Sequence, residues 1–316
     1  MSAAVVEAAL ALWGLDRASY RLVAERENRV FQIHHAGQRY ALRLHRPGYR
    51  SDAELISELQ MMAAAGRAGL NVPNPVPSAA KELFHVVDGT QIDLLEWLEG
   101  EVIGTTTEPL APAHGSDLFQ RIGVETARLH VALDAWTPPA GFTRCHWDRA
   151  GLLGDAPLWG RFWDNPTLTP DDRDLFIRLR NRAEAVLAGQ GDDLDYGLIH
   201  ADLVRENLMI SGDRLQLIDF DDAGFGFRLY ELVTTLLKNL GEPHYDALHA
   251  ALLDGYHSRR SLDLEHLDMF MALRAASYVG WIVPRLEEPG AAARNTRFIT
   301  TARRLTRAWL DDAAVA

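Results

Sequence analysis

The chain holds a single cysteine, Cys145. No internal disulfide is possible, and a reducing compartment, the cytoplasm, is expected. Cationic residues are in deficit: 32 Lys and Arg stand against 44 Asp and Glu, a formal net charge of −12. Nonspecific nucleic-acid binding needs clustered cations, so no nucleic-acid partner is expected. Long apolar runs are missing too. The longest uncharged one near the C-terminus, Ala275 to Pro284, is far too short to span a bilayer, and no membrane partner is expected. The opening MSAAVVEAALALWGL has no basic residue and carries Glu7, so it reads as an amphipathic helix and not as a secretion signal. There is no internal repeat or low-complexity tract, and oligomeric state is not legible. What is present is ordinary globular material: 316 residues, 47% apolar and 24% charged. That suffices for one large domain or two lobes with separate cores.

Periodicity divides the chain. Ser19–Glu25, Arg29–His35 and Gln38–Leu44 are short runs of β-formers, with a turn at His35–Gln38. Ser51 followed by Glu54 forms a capping box for a helix whose apolar stripe is Leu55, Leu59, Met62 and Ala63. Asn71–Pro77 is a proline-punctuated loop. Glu82–Val87 and Gln91–Trp97 read as strands around Asp88-Gly89. From about residue 114 the spacing becomes helical, over Asp117–Leu133, Asp171–Leu187, Leu229–Leu240, Tyr245–Tyr256, Leu264–Ile282 and Ala291–Leu310. The expectation is an α+β protein of two lobes. A small β-rich lobe covers 1–97, a larger helical lobe 98–316, and a hinge lies at about 96–100.

The informative segment is Gly197–Leu232, GLIHADLVRENLMISGDRLQLIDFDDAGFGFRLYEL. Leu208–Ile210 and Leu215–Ile218 read as a hairpin turning at Gly212-Asp213, which would bring loop 200–207 and the loop after Ile218 to one end. Phosphoryl transfer asks for a carboxylate to orient a hydroxyl and take its proton, and for oxygen ligands to Mg²⁺. Asp202 would supply the first, Asn207 and Asp219 the second.

The order H-x-D-x-x-x-x-N followed by I-D-F resembles the aminoglycoside phosphotransferase and choline kinase superfamily, which has a bilobal protein-kinase-like fold. The wording HADLVRENLMI…LIDFDD is most similar to its stress-response kinase and type II homoserine kinase branch. The resemblance implies an ATP- and Mg²⁺-dependent phosphotransferase acting on a small hydroxylated molecule. It makes Asp202 catalytic, Asn207 and Asp219 magnesium ligands, and His200 a holder of the loop backbone. Arg128-Leu129-His130 matches a structural element of the family. Gln91–Gly100 matches the lobe connector, where backbone groups of Glu96 and Leu98 would hold adenine.

The chain departs from the family pattern. Arg43 stands where a phosphate-binding lysine is usual, with Glu58 as its expected partner. A glycine-rich phosphate loop is absent, and the Glu25–Asn28 turn with the Asn28 side chain takes its place. Asp221 follows Phe220 where glycine is usual and could assist the metal. Glu231 replaces an Asp and is expected to be structural. Only a short segment, with no A-P-E element, separates Asp222 from the helix near Leu229, which favours a small-molecule acceptor over a switched protein kinase. Arg274, Tyr278, Trp281 and Arg285 fall at helical spacings and form a candidate acceptor face. Cys145-His146 lacks the second pair that a zinc site needs. Three readings stay open beside the leading one: a stress-response-type Ser/Thr protein kinase, a non-catalytic nucleotide-binding regulatory module, and a metal-dependent phosphohydrolase.

Overall fold

The runs of β-formers in the first hundred residues do form strands. The computed structural model describes residues 3–25, 28–111, 114–190 and 193–312. In chain order it begins α1 (Ala3–Leu12), β1 (Ser19–Glu25), β2 (Arg29–His35), β3 (Gln38–Leu44), α2 (Asp52–Arg67), β4 (Phe84–Val87), β5 (Thr90–Glu96) and β6 (Glu101–Val102). There follow α3 (Ser116–Asp134), β7 (His146–Trp147), α4 (Arg149–Leu153), α5 (Pro170–Gln190), β8 (Tyr196–Ile199), β9 (Leu208–Ser211), β10 (Arg214–Leu217) and β11 (Gly224–Phe227). The last helices are α6 (Arg228–Asn239), α7 (Tyr245–His257), α8 (Leu267–Trp281) and α9 (Ala291–Asp312).

Packing groups these elements into two compact units, neither contiguous in sequence. The first is Met1–Val102, Val131–Arg144 and Leu208–Asp221; the second is Ile103–His130, Cys145–Asn207 and Asp222–Ala316. This differs from a single division at 97/98. The β9–β10 hairpin belongs with the first unit because β9 pairs with β6, and because the Leu217 N–H donates to Asn71 O.

The first unit is built on an antiparallel sheet of order β1-β2-β3-β5-β4. Phe31, Ile33, Leu42, Leu44, Ile92 and Leu94 point from its middle strands into one core, which α1 closes with Val5, Val6, Ala9 and Leu10. Helix α2 starts where the capping box requires: Ser51 accepts from the Glu54 N–H, and Glu54 returns the bond to the Ser51 backbone. Leu55, Leu59 and Met62 of its stripe are buried, and Ala63 is half-buried. The hairpin pairs Leu208 with Leu217, so the chain enters and leaves it at one end.

The second unit is helical around a small sheet of order β7-β11-β8. Helix α8 starts at Leu267 and not at Leu264, because Asp263 accepts from the Glu265 N–H and the Leu267 N–H closes a turn onto Leu264 O. It stops at Trp281, just before Pro284. Helices α3 and α7 cross closely at two glycines: a Cβ at Gly123 would overlap the Leu252 carbonyl, and one at Gly255 the Gln120 carbonyl. Among the described residues no helix is long and apolar enough to cross a membrane.

The crossing makes a stability prediction. Alanine is favoured over glycine in a helix by about 1 kcal/mol, yet Gly123→Ala or Gly255→Ala should destabilise by about 1–3 kcal/mol, because backbone cannot yield as a side chain can. Denaturant unfolding measures this; an unchanged or raised midpoint would show that the crossing has slack.

Candidate active site

The loop 200–207 is held by one face of α6. Glu231 accepts from the His200 N–H in a short hydrogen bond and from the Ala201 N–H at 3.1 Å. One turn on, Thr235 Oγ1 donates to Leu203 O at 2.7 Å. One turn further, Asn239 Oδ1 accepts from Arg205 Nε at 2.7 Å. Residues four apart share a helix face, so these three act as a single rail. Arg205 extends the anchoring by donating to Glu108 O at 2.7 Å and pairing with Glu242. The rail holds a backbone that would not choose its shape: Ala201 has φ +65°, a left-handed conformation costing about 1–3 kcal/mol for a residue with a Cβ. Burial pushes the Glu231 carboxyl above its ordinary value, against His200 and the two backbone donors.

Asp202 sits at the end of that strained turn. His200 Nδ1 accepts from the Asp202 N–H at 3.3 Å. The Asp202 carboxylate accepts from Asn207 Nδ2 at 3.0 Å on Oδ2 and from Arg274 Nη2 at 3.1 Å on Oδ1. Its side chain keeps 25% of its surface exposed. Burial raises its pKa, while Arg274 and Lys238 pull the other way. Since Asn207 turns its amide nitrogen to Asp202, its Oδ1 is directed elsewhere.

In the first unit Arg43 is buried and not a surface residue. Nη1 donates to Glu58 Oε1 at 2.7 Å, the partner that the family resemblance implied. The rest of its fork was not foreseen: Nε and Nη2 each donate to Asp93 at 2.8 Å, a bidentate pair that lysine could not make. His45 Nε2 reaches the same carboxylate at 2.6 Å. Burial alone would raise the Asp93 carboxyl, but Arg43 and His45 outweigh it and hold it at about 2.

Arg144, also unforeseen, continues the network. Nη1 donates to Glu54 O at 3.0 Å and lies 3.4 Å from Glu58 Oε2; Nη2 donates to Phe220 O at 3.1 Å and to Asp221 O at 2.7 Å. Arg50 Nη2 adds a bond to Asp221 O at 3.0 Å. The peptide carbonyls directly after Asp219 are thereby fixed, and Asp219 itself is exposed with φ +66°. Asp221 is buried.

The remaining candidates divide. Asn28 Oδ1 accepts from the Arg46 N–H at 3.2 Å, while Arg26 and Glu27 of the same turn lie outside the described residues. The Glu96 N–H goes to Asn74 O at 2.8 Å, and Leu98 is half-buried. Of the α8 stripe, Arg274 and Tyr278 are brought to Asp202, with Tyr278 Oη 3.2 Å from Arg274 Nη2. The other two are not. Trp281 packs on Trp159 and Phe298. Arg285 lies beyond the helix end in a 3-10 turn containing Pro284, and its guanidinium stacks 4.0 Å from the Trp281 ring. Four aromatic rings surround Arg274, with Trp159 at 4.2 Å. Lys238 is a residue that sequence reasoning missed: its Nζ lies 3.8 Å from the Tyr278 ring centroid.

The fold and this loop are those of a phosphotransferase. A family model described as "Phosphotransferase enzyme family" matches residues 19–269, and the chain belongs to that family. It is an enzyme that transfers a phosphoryl group to an alcohol acceptor, of a family of small-molecule kinases. The homoserine kinase of Rhizobium meliloti is 28% identical over 86% of this chain and 82% of that protein. The microcompartment-associated aminopropanol kinase structure superimposes with a TM-score of 0.84 at 29% identity, covering 98% of both chains. An amicoumacin kinase, solved in complex with AMP-PNP, Ca²⁺ and Ami, gives 0.75 at 20% identity over 95% of this chain and 92% of that one, and shows the fold alone. The α+β architecture expected from the sequence is thus the protein-kinase-like one of these neighbours.

The Arg43 network predicts acid sensitivity. The folded pKa of Asp93 lies below the ordinary carboxylate value, so its contribution is complete above about pH 4 and is lost as pH falls toward 2. The shift corresponds to about 2 kcal/mol. Asp93→Asn should remove that pH-dependent component and also cost about 3–5 kcal/mol at neutral pH, since Arg43 is left buried with half its fork unpaired. Urea unfolding between pH 2.5 and pH 7 measures both; a variant with the wild-type pH slope would remove Asp93 from the network's centre.

Proposed function

We propose that the chain moves the γ-phosphoryl group of ATP to a hydroxyl of a small amino alcohol or hydroxylated amino acid, with Mg²⁺, in the cytoplasm. The observation that carries this is the Asp202 carboxylate. It is fixed on both oxygens, partly open, and made more basic by burial. Those are the properties of a group that orients a hydroxyl and takes its proton as the oxygen attacks phosphorus.

The donors present suit magnesium. Among the described residues no group of three His, Cys, Asp or Glu side chains could hold a metal. What the chain offers is an amide oxygen, Asn207 Oδ1, and the exposed carboxylate of Asp219. Few, hard oxygen ligands fit a cation that takes its other positions from phosphate oxygens and water. When bound, the cation would spread the charge of the transferring group. Asp221 shares the fixed loop with Asp219 and supports its placement.

Arg43 spends three of its five N–H groups on carboxylates, leaving two for phosphate oxygens. Its role in nucleotide binding is thus supported by Glu58 and Asp93 and not by charge alone. Asn28 and the backbone of Glu96 and Leu98 complete the assignment to nucleotide. Arg274 does not simply bind acceptor: it pins Asp202, and with Tyr278 it shapes the space beside it.

Asp202→Asn should lower kcat at least about hundredfold, because the amide keeps the shape but cannot take the proton. Nucleotide affinity by calorimetry should stay within about threefold. Turnover within tenfold of wild type would remove Asp202 from the central role. Asp219→Ala should act through the cation, weakening MgATP binding while leaving metal-free nucleotide binding in place. Wild-type affinity for MgATP together with an unchanged magnesium dependence in that variant would contradict the ligand assignment.

A further inference from the structure

Lys238 is not needed by the loop that α6 holds, yet it stands on the same polar face, between Thr235 and Asn239. Its ammonium lies on Tyr278, and Phe298, stacked on Tyr278 with ring centroids 5.2 Å apart, is 6.0 Å away. Two carboxylates are near enough to feel it, Asp202 and Glu206. Both are engaged elsewhere: Asp202 by Arg274 and Asn207, and Glu206 by the Thr106 N–H and hydroxyl at 2.7 and 3.0 Å. Arg274 and Arg297 face the lysine from α8 and α9 with charge of its own sign. Among the described residues no carboxylate lies within ion-pair distance of Nζ.

An ammonium pressed on aromatic rings and flanked by two guanidiniums is held at a cost. Burial first, and these cations next, push its pKa down to about 8 against the pull of Asp202. An anion arriving beside it would relieve the repulsion and gain a partly desolvated ion pair. A cation arriving there would meet three like charges, Lys238, Arg274 and Arg297. The rings of Tyr278 and Phe298 make the surroundings of the ammonium apolar on that side.

We propose that Lys238 is the specificity-determining residue of the acceptor site, and that it pairs with an acidic group, a carboxylate or phosphate, carried by the same small molecule whose hydroxyl is phosphorylated at Asp202. The inference rests on the phosphotransferase reading and narrows it to acidic acceptors, against purely cationic amino alcohols. The other source of a nearby anion is the γ-phosphate of the nucleotide, which the experiment separates.

The probes are L-homoserine and 3-amino-1-propanol, which share the hydroxyl chain and the amine and differ by one carboxylate. Wild type should favour the acidic probe by about hundredfold in kcat/KM, because a site built for a polar group rejects the analogue lacking it. Lys238→Met should raise KM for the acidic probe at least about tenfold, leave KM for ATP within about threefold, and shrink the preference toward unity. Lys238→Arg should recover part of the preference, since the charge returns with a different shape. A wild type that uses the two probes equally overturns the proposal without any variant having to fold. So does a Lys238→Met enzyme whose KM rises for ATP while its acceptor preference persists, which would give the lysine to the γ-phosphate. A wild type that phosphorylates only neutral or cationic alcohols, with glycerate and serine also refused, overturns the proposal and leaves the phosphotransferase reading intact. Failure to transfer phosphate to any acceptor would sink that broader reading, and this inference with it.

Discussion

Helix α6 carries the constraint on which the chemistry depends. Its Glu231, Thr235 and Asn239 grip three successive parts of the loop 200–205. Without those acceptors and that donor, the left-handed Ala201 would relax and Asp202 would swing away from Asn207 and Arg274. Glu231 meets two buried backbone N–H groups that would otherwise lack acceptors, an omission costing about 1–3 kcal/mol each. His130 stands 3.7 Å behind it and is bonded to Tyr256, so the clamp is backed by a second layer. The placement of one carboxylate is thus spread over a helix face, a loop and a core histidine.

The first unit shows the same economy around a different ion. Arg43 joins β3, α2 and β5 through two carboxylates, and Arg144 carries the connection from Glu58 to the carbonyls after Asp219. All four side chains are buried. A buried ion pair contributes little net stability once desolvation is counted, but it specifies geometry, because every alternative leaves a charge unpaired. In this unit the specified geometry is the backbone at the exposed Asp219. Replacing the usual lysine by arginine follows the same logic. Asp93 and His45 supply partners that a guanidinium fork can use and a point charge cannot.

Much of this was legible. The hairpin strands were readable because runs of β-formers and glycine turns mark them, and α2 because Ser51 and Glu54 mark its start. Asp202 and Asn207 were read as members of one motif with separate roles, and Asn207 Nδ2 lies 3.0 Å from Asp202 Oδ2. The strands β7, β8 and β11 were not readable, because they have two to four residues each and exist only through pairing with distant segments. Asp93 left a trace, an acid set among the apolar residues Ile92, Leu94 and Leu95. Thr235, Lys238 and Asn239 left another, as polar residues that share a face of α6 with Glu231. Arg144 left none: it follows α3 in a loop without periodicity, and only the fold gives it partners. Arg285 falls off the α8 face because the helix stops at Trp281 and Arg285 lies in the 3-10 turn Val283–Arg285.

Phosphorus NMR of the complete reaction tests the central claim most directly. The purified enzyme would be incubated with ATP, magnesium and a mixture of small hydroxylated acceptors. The account predicts ADP and a new phosphomonoester resonance on a small molecule, both absent with Asp202→Asn. Inorganic phosphate as the only new signal, or phosphate recovered only on protein, would contradict it.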